Sequence, residues 1–175
     1  MALQILTKLL FLLSIIVSLF ANASEEQFVI GAGDSISIVV YNEPDLTVHT
    51  KVGQSGRVRI PLIGDINVIN KTSKQLSDEL EVAFKDGYLV HPSVAVTIDS
   101  FRPFFIKGAV KSAGAYDFVF GLTVDQAVAI AGGFKDRASK DKWYILRGSK
   151  RNKTKVKKST KVLPGDIITI EESVF

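Results

Sequence analysis

The sequence contains no cysteine among its 175 residues. This absence excludes disulfides, zinc sites built on thiolates, a cysteine nucleophile and a lipid attached to an N-terminal cysteine. There are also only two histidines, His49 and His91, which argues against a metal site built on several histidines. So few histidines leave little room for a Ser-His-Asp triad. We therefore expect no enzyme activity and no cofactor.

Phosphate-binding glycine motifs are missing as well. The stretch GAGD at residues 31–34 lacks the following helix and the third glycine of a dinucleotide fingerprint. The stretch AGGF at residues 131–134 ends a predicted helix instead of beginning one. No G-x-x-x-x-G-K-S/T sequence is present. The sequence therefore does not indicate nucleotide binding.

One long hydrophobic run is present, and it lies at the N-terminus. It covers residues 9–20, follows Lys8 and precedes the sequence ANA at residues 21–23. A positive residue, a short apolar core and small residues are typical of a secretory signal, here with cleavage after Ala23. Such a core spans roughly 18 Å as a helix, less than the ~30 Å of a bilayer interior. We expect an exported protein, with an uncleaved anchor as the alternative.

Hydrophobic periodicity predicts an α+β fold that is rich in strands. Residues 72–87 carry apolar side chains at helical spacing, and Thr72 with Gln75 forms a capping box. Residues 122–134 repeat this helix pattern. Alternating segments predict the strands. The predicted strands cover residues 35–41, 46–52, 57–64, 65–70, 92–101, 104–110, 115–120, 142–148 and 165–170.

These elements divide into segments around the dipeptide Arg102-Pro103. We predict a signal peptide at residues 1–23, a β-rich unit with one helix at 24–101 and a small β-grasp-like unit at 102–150. A basic segment and a closing strand follow at residues 151–175. Units of this size have small cores and are often marginal alone. We expect them to pack on each other or on further copies of the chain.

Two similar Gly-Asp turns stand near the ends of this region. Gly33 and Asp34 precede the first predicted strand, and Gly165 and Asp166 precede the last one. We interpret all four as structural, because an aspartate at such a position accepts hydrogen bonds from nearby backbone N–H groups.

Positive charge is concentrated in residues 147–161, which hold eight basic residues and no acidic one. Lys153, Lys155 and Lys157 alternate as on one face of a strand, where lysines discourage unwanted edge pairing. The alternative is that these residues and Lys158 contact an acidic polymer or an anionic lipid surface. Nucleic acid is not an expected partner, because the stretch lacks interleaved aromatic residues and the protein is expected to be exported.

Four spaced motifs carry a resemblance to a known family. They are G-x-G-D at 31–34, E-P-D-L at 43–46, G-x-x-x-x-P-x-x-G at 56–64 and A-G-G at 131–133. With these motifs the chain resembles the bacterial outer-membrane polysaccharide export family. Its members carry a polysaccharide export domain followed by soluble-ligand-binding β-grasp (SLBB) domains. The resemblance implies export of capsular polysaccharide or exopolysaccharide by proteins that form closed rings.

The resemblance also implies partners and a location. The expected partners are a polysaccharide, which could be acidic, an inner-membrane co-polymerase or chain-length regulator, and further copies in a homo-oligomeric ring. Well-studied relatives have a lipidated cysteine and a long C-terminal amphipathic helix, whereas this sequence has neither. We therefore expect a periplasmic protein that associates peripherally with the outer membrane, is not lipidated and uses a separate outer-membrane pore protein. The alternative is a stand-alone ligand-binding β-grasp module.

Overall fold

The computed structural model describes residues 28–148 and 152–173. The predicted signal peptide, its cleavage site and the predicted boundary at residues 150–151 lie outside the described residues. No helix in the described part is both long and apolar enough to cross a membrane.

The described residues form ten strands, two α-helices and one 3₁₀ helix, which confirms the strand-rich α+β class. The helices are α1 (Ser73–Lys85), α2 (Val124–Ile130) and the 3₁₀ helix Pro44–Leu46. The strands are β1 (Ser35–Val40), β2 (Val48–Lys51), β3 (Arg57–Ile60), β4 (Gly64–Asn67), β5 (Val94–Ser100), β6 (Phe104–Gly108), β7 (Gly114–Tyr116), β8 (Ala138–Arg147), β9 (Asn152–Lys155) and β10 (Ile167–Glu172).

The strands form three sheets. An antiparallel sheet has the order β2-β1-β5, and β3 with β4 forms a separate hairpin. Helix α1 packs against β5. The third sheet has the order β7-β6-β10-β8-β9 and is mixed, because β10 runs parallel to β6 and antiparallel to β8. Strand β10 thus occupies the centre of this sheet.

Both helices begin with the predicted capping box. Thr72 Oγ1 accepts a hydrogen bond of 3.1 Å from the backbone N–H of Gln75, whose side chain accepts one of 2.9 Å from the backbone N–H of Thr72. Thr123 and Gln126 make the same pair of contacts at α2. Each box satisfies backbone donors that the first turn of a helix leaves unpaired.

The buried side chains form two separate hydrophobic clusters. The first contains residues between Ile30 and Val96, and its largest member is Phe84 on α1. The second contains residues between Phe104 and Ile170, and its largest fully buried side chain is Phe104. We refer to these parts as the first and second units. The segment between them carries Phe101 and Arg102.

Several predicted strands end earlier than their alternation suggests, as the strand expected at residues 57–64 does at Ile60, where a turn begins. The strand expected at residues 115–120 stops at Tyr116, because Phe118 and Phe120 pack against aromatic rings outside the sheet. The alternating lysines do not all lie on one strand, because β9 ends at Lys155 and a turn follows. In that turn the backbone N–H of Lys157 donates to Thr160 Oγ1 at 3.0 Å.

Candidate functional site

The first Gly-Asp turn is built around the carboxylate of Asp34, which is 0% exposed. Its Oδ2 accepts hydrogen bonds from the backbone N–H of Gly31 at 2.7 Å and from Arg102 Nη1 at 2.8 Å. Its Oδ1 accepts a bond of 2.6 Å from the backbone N–H of Arg102. The buried charge is therefore balanced by a cation and by two backbone dipoles.

The second Gly-Asp turn follows the same plan with different partners. Asp166 is 1% exposed and accepts a hydrogen bond of 2.8 Å from the backbone N–H of Leu163. Both of its oxygens bind the guanidinium of Arg147, at 2.9 Å from Nε and 2.7 Å from Nη2. Each aspartate thus closes its own turn and also holds an arginine from another segment.

The two turns meet at Arg102. A Cβ placed on Gly31 would lie 2.2 Å from Arg102 Nη1, and one placed on Gly165 would lie 2.9 Å from Arg102 Nε. The side chain of Arg102 therefore passes between the turn that leads into β1 and the turn that leads into β10. The strands themselves do not pair, since they lie in different sheets. Sequence reasoning placed both turns but did not identify Arg102 or Arg147 as their partners.

A cluster of four phenylalanines adjoins Arg102 in the sequence. Phe28, Phe101, Phe118 and Phe120 each contact the other three, with ring centroids 5.2–5.8 Å apart. Phe28 precedes β1 and the last two residues follow β7, so the cluster joins the two units. Tilted and edge-to-face ring pairs of this kind stabilise packing beyond the burial of their area.

Comparison with known proteins assigns a family to each side of this junction. Residues 22–99 match the polysaccharide biosynthesis/export protein family, and residues 103–157 match the SLBB domain. The chain belongs to the polysaccharide export protein family. The resemblance carried by the sequence motifs is thereby confirmed.

One curated relative is the exopolysaccharide production protein ExoF of Rhizobium meliloti (strain 1021). It is 33% identical to this member of the polysaccharide export family over 86 residues. The alignment covers 48% of this chain but only 20% of ExoF, so the chain spans a small part of the relative's length.

The family boundaries coincide with the junction seen in the structure. The two matched regions leave residues 100–102 between them, and these include Phe101 and Arg102. In this family member the SLBB match ends at residue 157, whereas the sheet of the second unit continues through β10. The closing strand therefore belongs structurally with the SLBB region.

The structure separates the four lysines proposed from sequence as polymer contacts. Lys153 Nζ lies 2.8 Å from Glu171 Oε1 and 4.0 Å from the centroid of the Tyr144 ring. Its hydrogen bond with Glu171 raises the pKa of Lys153. Lys153 lies on β9, and its contact with Glu171 reaches across β8 to β10. Of the other three, Lys155 is the last residue of β9, and Lys157 and Lys158 lie in the turn that follows it.

Lys155 and Lys158 have longer ion pairs. Lys155 Nζ is 3.6 Å from Asp141 Oδ2, and Lys158 Nζ is 4.0 Å from Asp125 Oδ1. A hydrogen bond from Ser139, together with the charge of Lys155, lowers the pKa of Asp141. Lys155, Lys157 and Lys158 all line one hollow beside Trp143, which brings these three lysines together and leaves out Lys153. The prediction that these lysines contact a polymer stays a prediction.

The described residues contain no candidate metal site. Within residues 28–148 and 152–173, no group of three or more histidine, aspartate or glutamate side chains is placed to hold a metal ion.

Proposed function

We propose that the protein is a transport component that takes part in the export of an exopolysaccharide or capsular polysaccharide. The observation that carries this proposal is the match of successive regions to the polysaccharide biosynthesis/export family and to the SLBB domain. Similarity to ExoF, a protein named for exopolysaccharide production, supports the same role. In this proposal residues 24–101 act as the export domain and the residues from 102 onward as the SLBB β-grasp domain.

The proposed location is the periplasm, in peripheral association with the outer membrane and without a lipid anchor. It is supported by the hydrophobic run at residues 9–20 and the small residues at 21–23, which together resemble a cleavable signal. The proposed partners are the polymer, an inner-membrane co-polymerase or chain-length regulator and a separate outer-membrane pore protein. The polymer and the co-polymerase follow from the family resemblance, and the protein would guide the polymer from the co-polymerase toward the pore.

Deleting the gene should lower secreted polysaccharide severalfold while the cell still makes the polymer. The physical reason is that a hydrophilic chain cannot cross the outer membrane unless a continuous protein path leads it to the pore. The measurement is the uronic acid and neutral sugar content of culture supernatant and of washed cells, with a plasmid-borne copy of the gene as the control. Unchanged secretion in the deletion strain would overturn the proposed function.

Self-association is the next part of the proposal. Val82 on α1 is 72% exposed and Val90 is 78% exposed, and both line one surface hollow together with His91 and Pro92. The hollow also carries the charged side chains of Asp78, Glu81 and Lys85, and such a combination of apolar and polar surface suits a contact between subunits. We propose that this hollow forms part of the contact between subunits of a ring.

Purified protein should therefore show a mass several times that of one chain in analytical ultracentrifugation. Val82→Asp combined with Val90→Asp should weaken assembly by at least about tenfold, because it places charge in a buried contact. The matched control is Val29→Asp combined with Val39→Asp, which changes two exposed valines that do not line this hollow. A monomer at all concentrations, or equal weakening by the control, would contradict a ring built on this surface.

A further inference from the structure

A groove on the second unit remains unassigned. It consists of two adjoining hollows of about 360 Å³ and about 290 Å³, which share Lys140, Trp143 and Lys158 as lining residues. We call it the Trp143 groove. Phe134, Lys135, Ala138 and Ser139 complete the first hollow, and Asp141, Lys155, Val156 and Lys157 complete the second.

The floor of the Trp143 groove is apolar and held in place. The ring of Phe134 stacks on that of Trp143 with centroids 5.2 Å apart and an interplanar angle of 30°. Trp143 is 3% exposed, and its Nε1 donates a hydrogen bond of 2.7 Å to the carbonyl oxygen of Ser139. Trp143 itself is almost wholly buried, so it supports the floor from beneath, and the apolar surface open to a ligand comes from the half-buried Phe134, Ala138 and Val156.

The rim of the groove carries positive charge that the described residues neutralise only in part. Lys135, Lys140 and Lys157 form no ion pair with any residue in the described ranges 28–148 and 152–173. Lys158 has only the 4.0 Å contact with Asp125, and its Nζ lies 5.5 Å from the Trp143 ring centroid. The cationic groups at the groove are thus available to an anionic ligand.

Acidic side chains near the groove do not cancel this charge. Asp141 lines the second hollow, but it is engaged by Lys155 at 3.6 Å and by the Ser139 hydroxyl at 3.0 Å. Lys153 Nζ pairs with Glu171 Oε1 at 2.8 Å, and Lys153 does not line the groove. Within the basic segment, Lys153 is therefore held away from the groove, whereas Lys155, Lys157 and Lys158 line it.

We propose that the Trp143 groove binds a saccharide that carries carboxylate groups. This inference rests on the proposed function and names the class of polymer that the protein would handle. The apolar floor suits the C–H faces of sugar rings, and the lysines suit their carboxylates through charge-assisted hydrogen bonds. The larger hollow lies at the small end of the ~300–1,000 Å³ range of ligand pockets and the smaller one just below it, which fits a short stretch of a chain.

The test is a calorimetric titration of the full chain with an oligogalacturonate and with a neutral gluco-oligosaccharide of the same length. We expect binding of the acidic oligomer alone. Its affinity should fall as salt rises, because the Debye length shrinks from ~10 Å at 0.1 M to ~3 Å at 1 M. Lys135→Gln, Lys140→Gln and Lys158→Gln combined should weaken binding at least about tenfold, because each lost contact is charge-assisted.

A matched control removes the same charge elsewhere. Lys51→Gln, Lys107→Gln and Lys111→Gln combined change exposed lysines of β2, β6 and the segment after β6 that do not line the groove. This variant should bind like the unchanged protein, and both variants should melt within a few degrees of it. Equal loss in both variants, equal binding of the neutral oligomer, or no binding of the acidic oligomer would each overturn the proposal.

These outcomes are separable from those of the gene deletion. If the deletion blocks secretion but the oligogalacturonate does not bind, the export role stands and the assignment of the groove fails. If the oligomer binds at the groove but the deletion leaves secretion unchanged, the assignment of the groove is correct and the protein is a ligand-binding module outside the export path.

Discussion

Replacing Gly108 with alanine is expected to lower the free energy of unfolding by more than about 3 kcal/mol, a large effect for one methyl group. Gly108 has a φ of +93°, and a Cβ placed there would lie 2.0 Å from the carbonyl oxygen of Ile170. That oxygen accepts a hydrogen bond of 2.8 Å from the backbone N–H of Ala109. The new carbon therefore forces β10 away from β6, in addition to the strain of a left-handed alanine.

Chemical denaturation followed by tryptophan fluorescence measures this loss directly, because the sequence holds one tryptophan and Trp143 lies in the second unit. Gly133→Ala is the matched control. Gly133 has a φ of +88° but no atom within 4 Å of its added Cβ, so it tests backbone strain alone. We expect a cost of about 1 kcal/mol there. Equal costs at both positions would show that the contact with Ile170 is unimportant.

Arg102→Ala should cost about 3 kcal/mol, because it leaves the charge of a buried carboxylate without its cation. Asp34 would keep the hydrogen bonds from the backbone N–H groups of Gly31 and residue 102. It would lose the 2.8 Å contact with Nη1, and the space beside Gly165 would empty. The measurements are the free energy of unfolding and the far-ultraviolet circular dichroism, which together report on both units.

The matched control for this variant is Arg59→Ala. Arg59 pairs with Asp65 at 3.0 Å, but both side chains are exposed and water screens their attraction. We expect a much smaller loss of stability from this change. If the two arginine variants behaved alike, Asp34 would not depend on Arg102, and another explanation of the junction would be required.

The local parts of this fold could be predicted from the sequence, because their signals are local. The helical spacing and the Thr72–Gln75 box identified α1, and the Gly-Asp pairs identified the two turns. Asp34 and Arg102 are 68 residues apart, and no periodicity indicates which distant cation reaches a buried carboxylate. That contact depends on how the two units pack.

The Trp143 groove could not be predicted from the sequence, for a similar reason. Its floor and its rim come from different segments, which β8 and β9 bring together by pairing Tyr144 with Lys155. Alternating lysines suggested one strand face, but β9 ends at Lys155 and a turn closed by Thr160 follows, so the groove gathers Lys155 and Lys157 without Lys153. Likewise, the apolar residues Phe118 and Phe120 alternate as in a strand, although their rings pack at the junction between the units.

The central place of β10 has a consequence for how the protein is made. A chain that emerges N-terminus first produces β6 and β8 before Ile167–Glu172, their shared neighbour. Until then both strands present open edges, which readily pair with other chains. Copies that terminate before β10 therefore keep those edges exposed and should be removed by quality-control proteases. The sheet of the second unit is therefore completed only when Ile167–Glu172 has been added between β6 and β8.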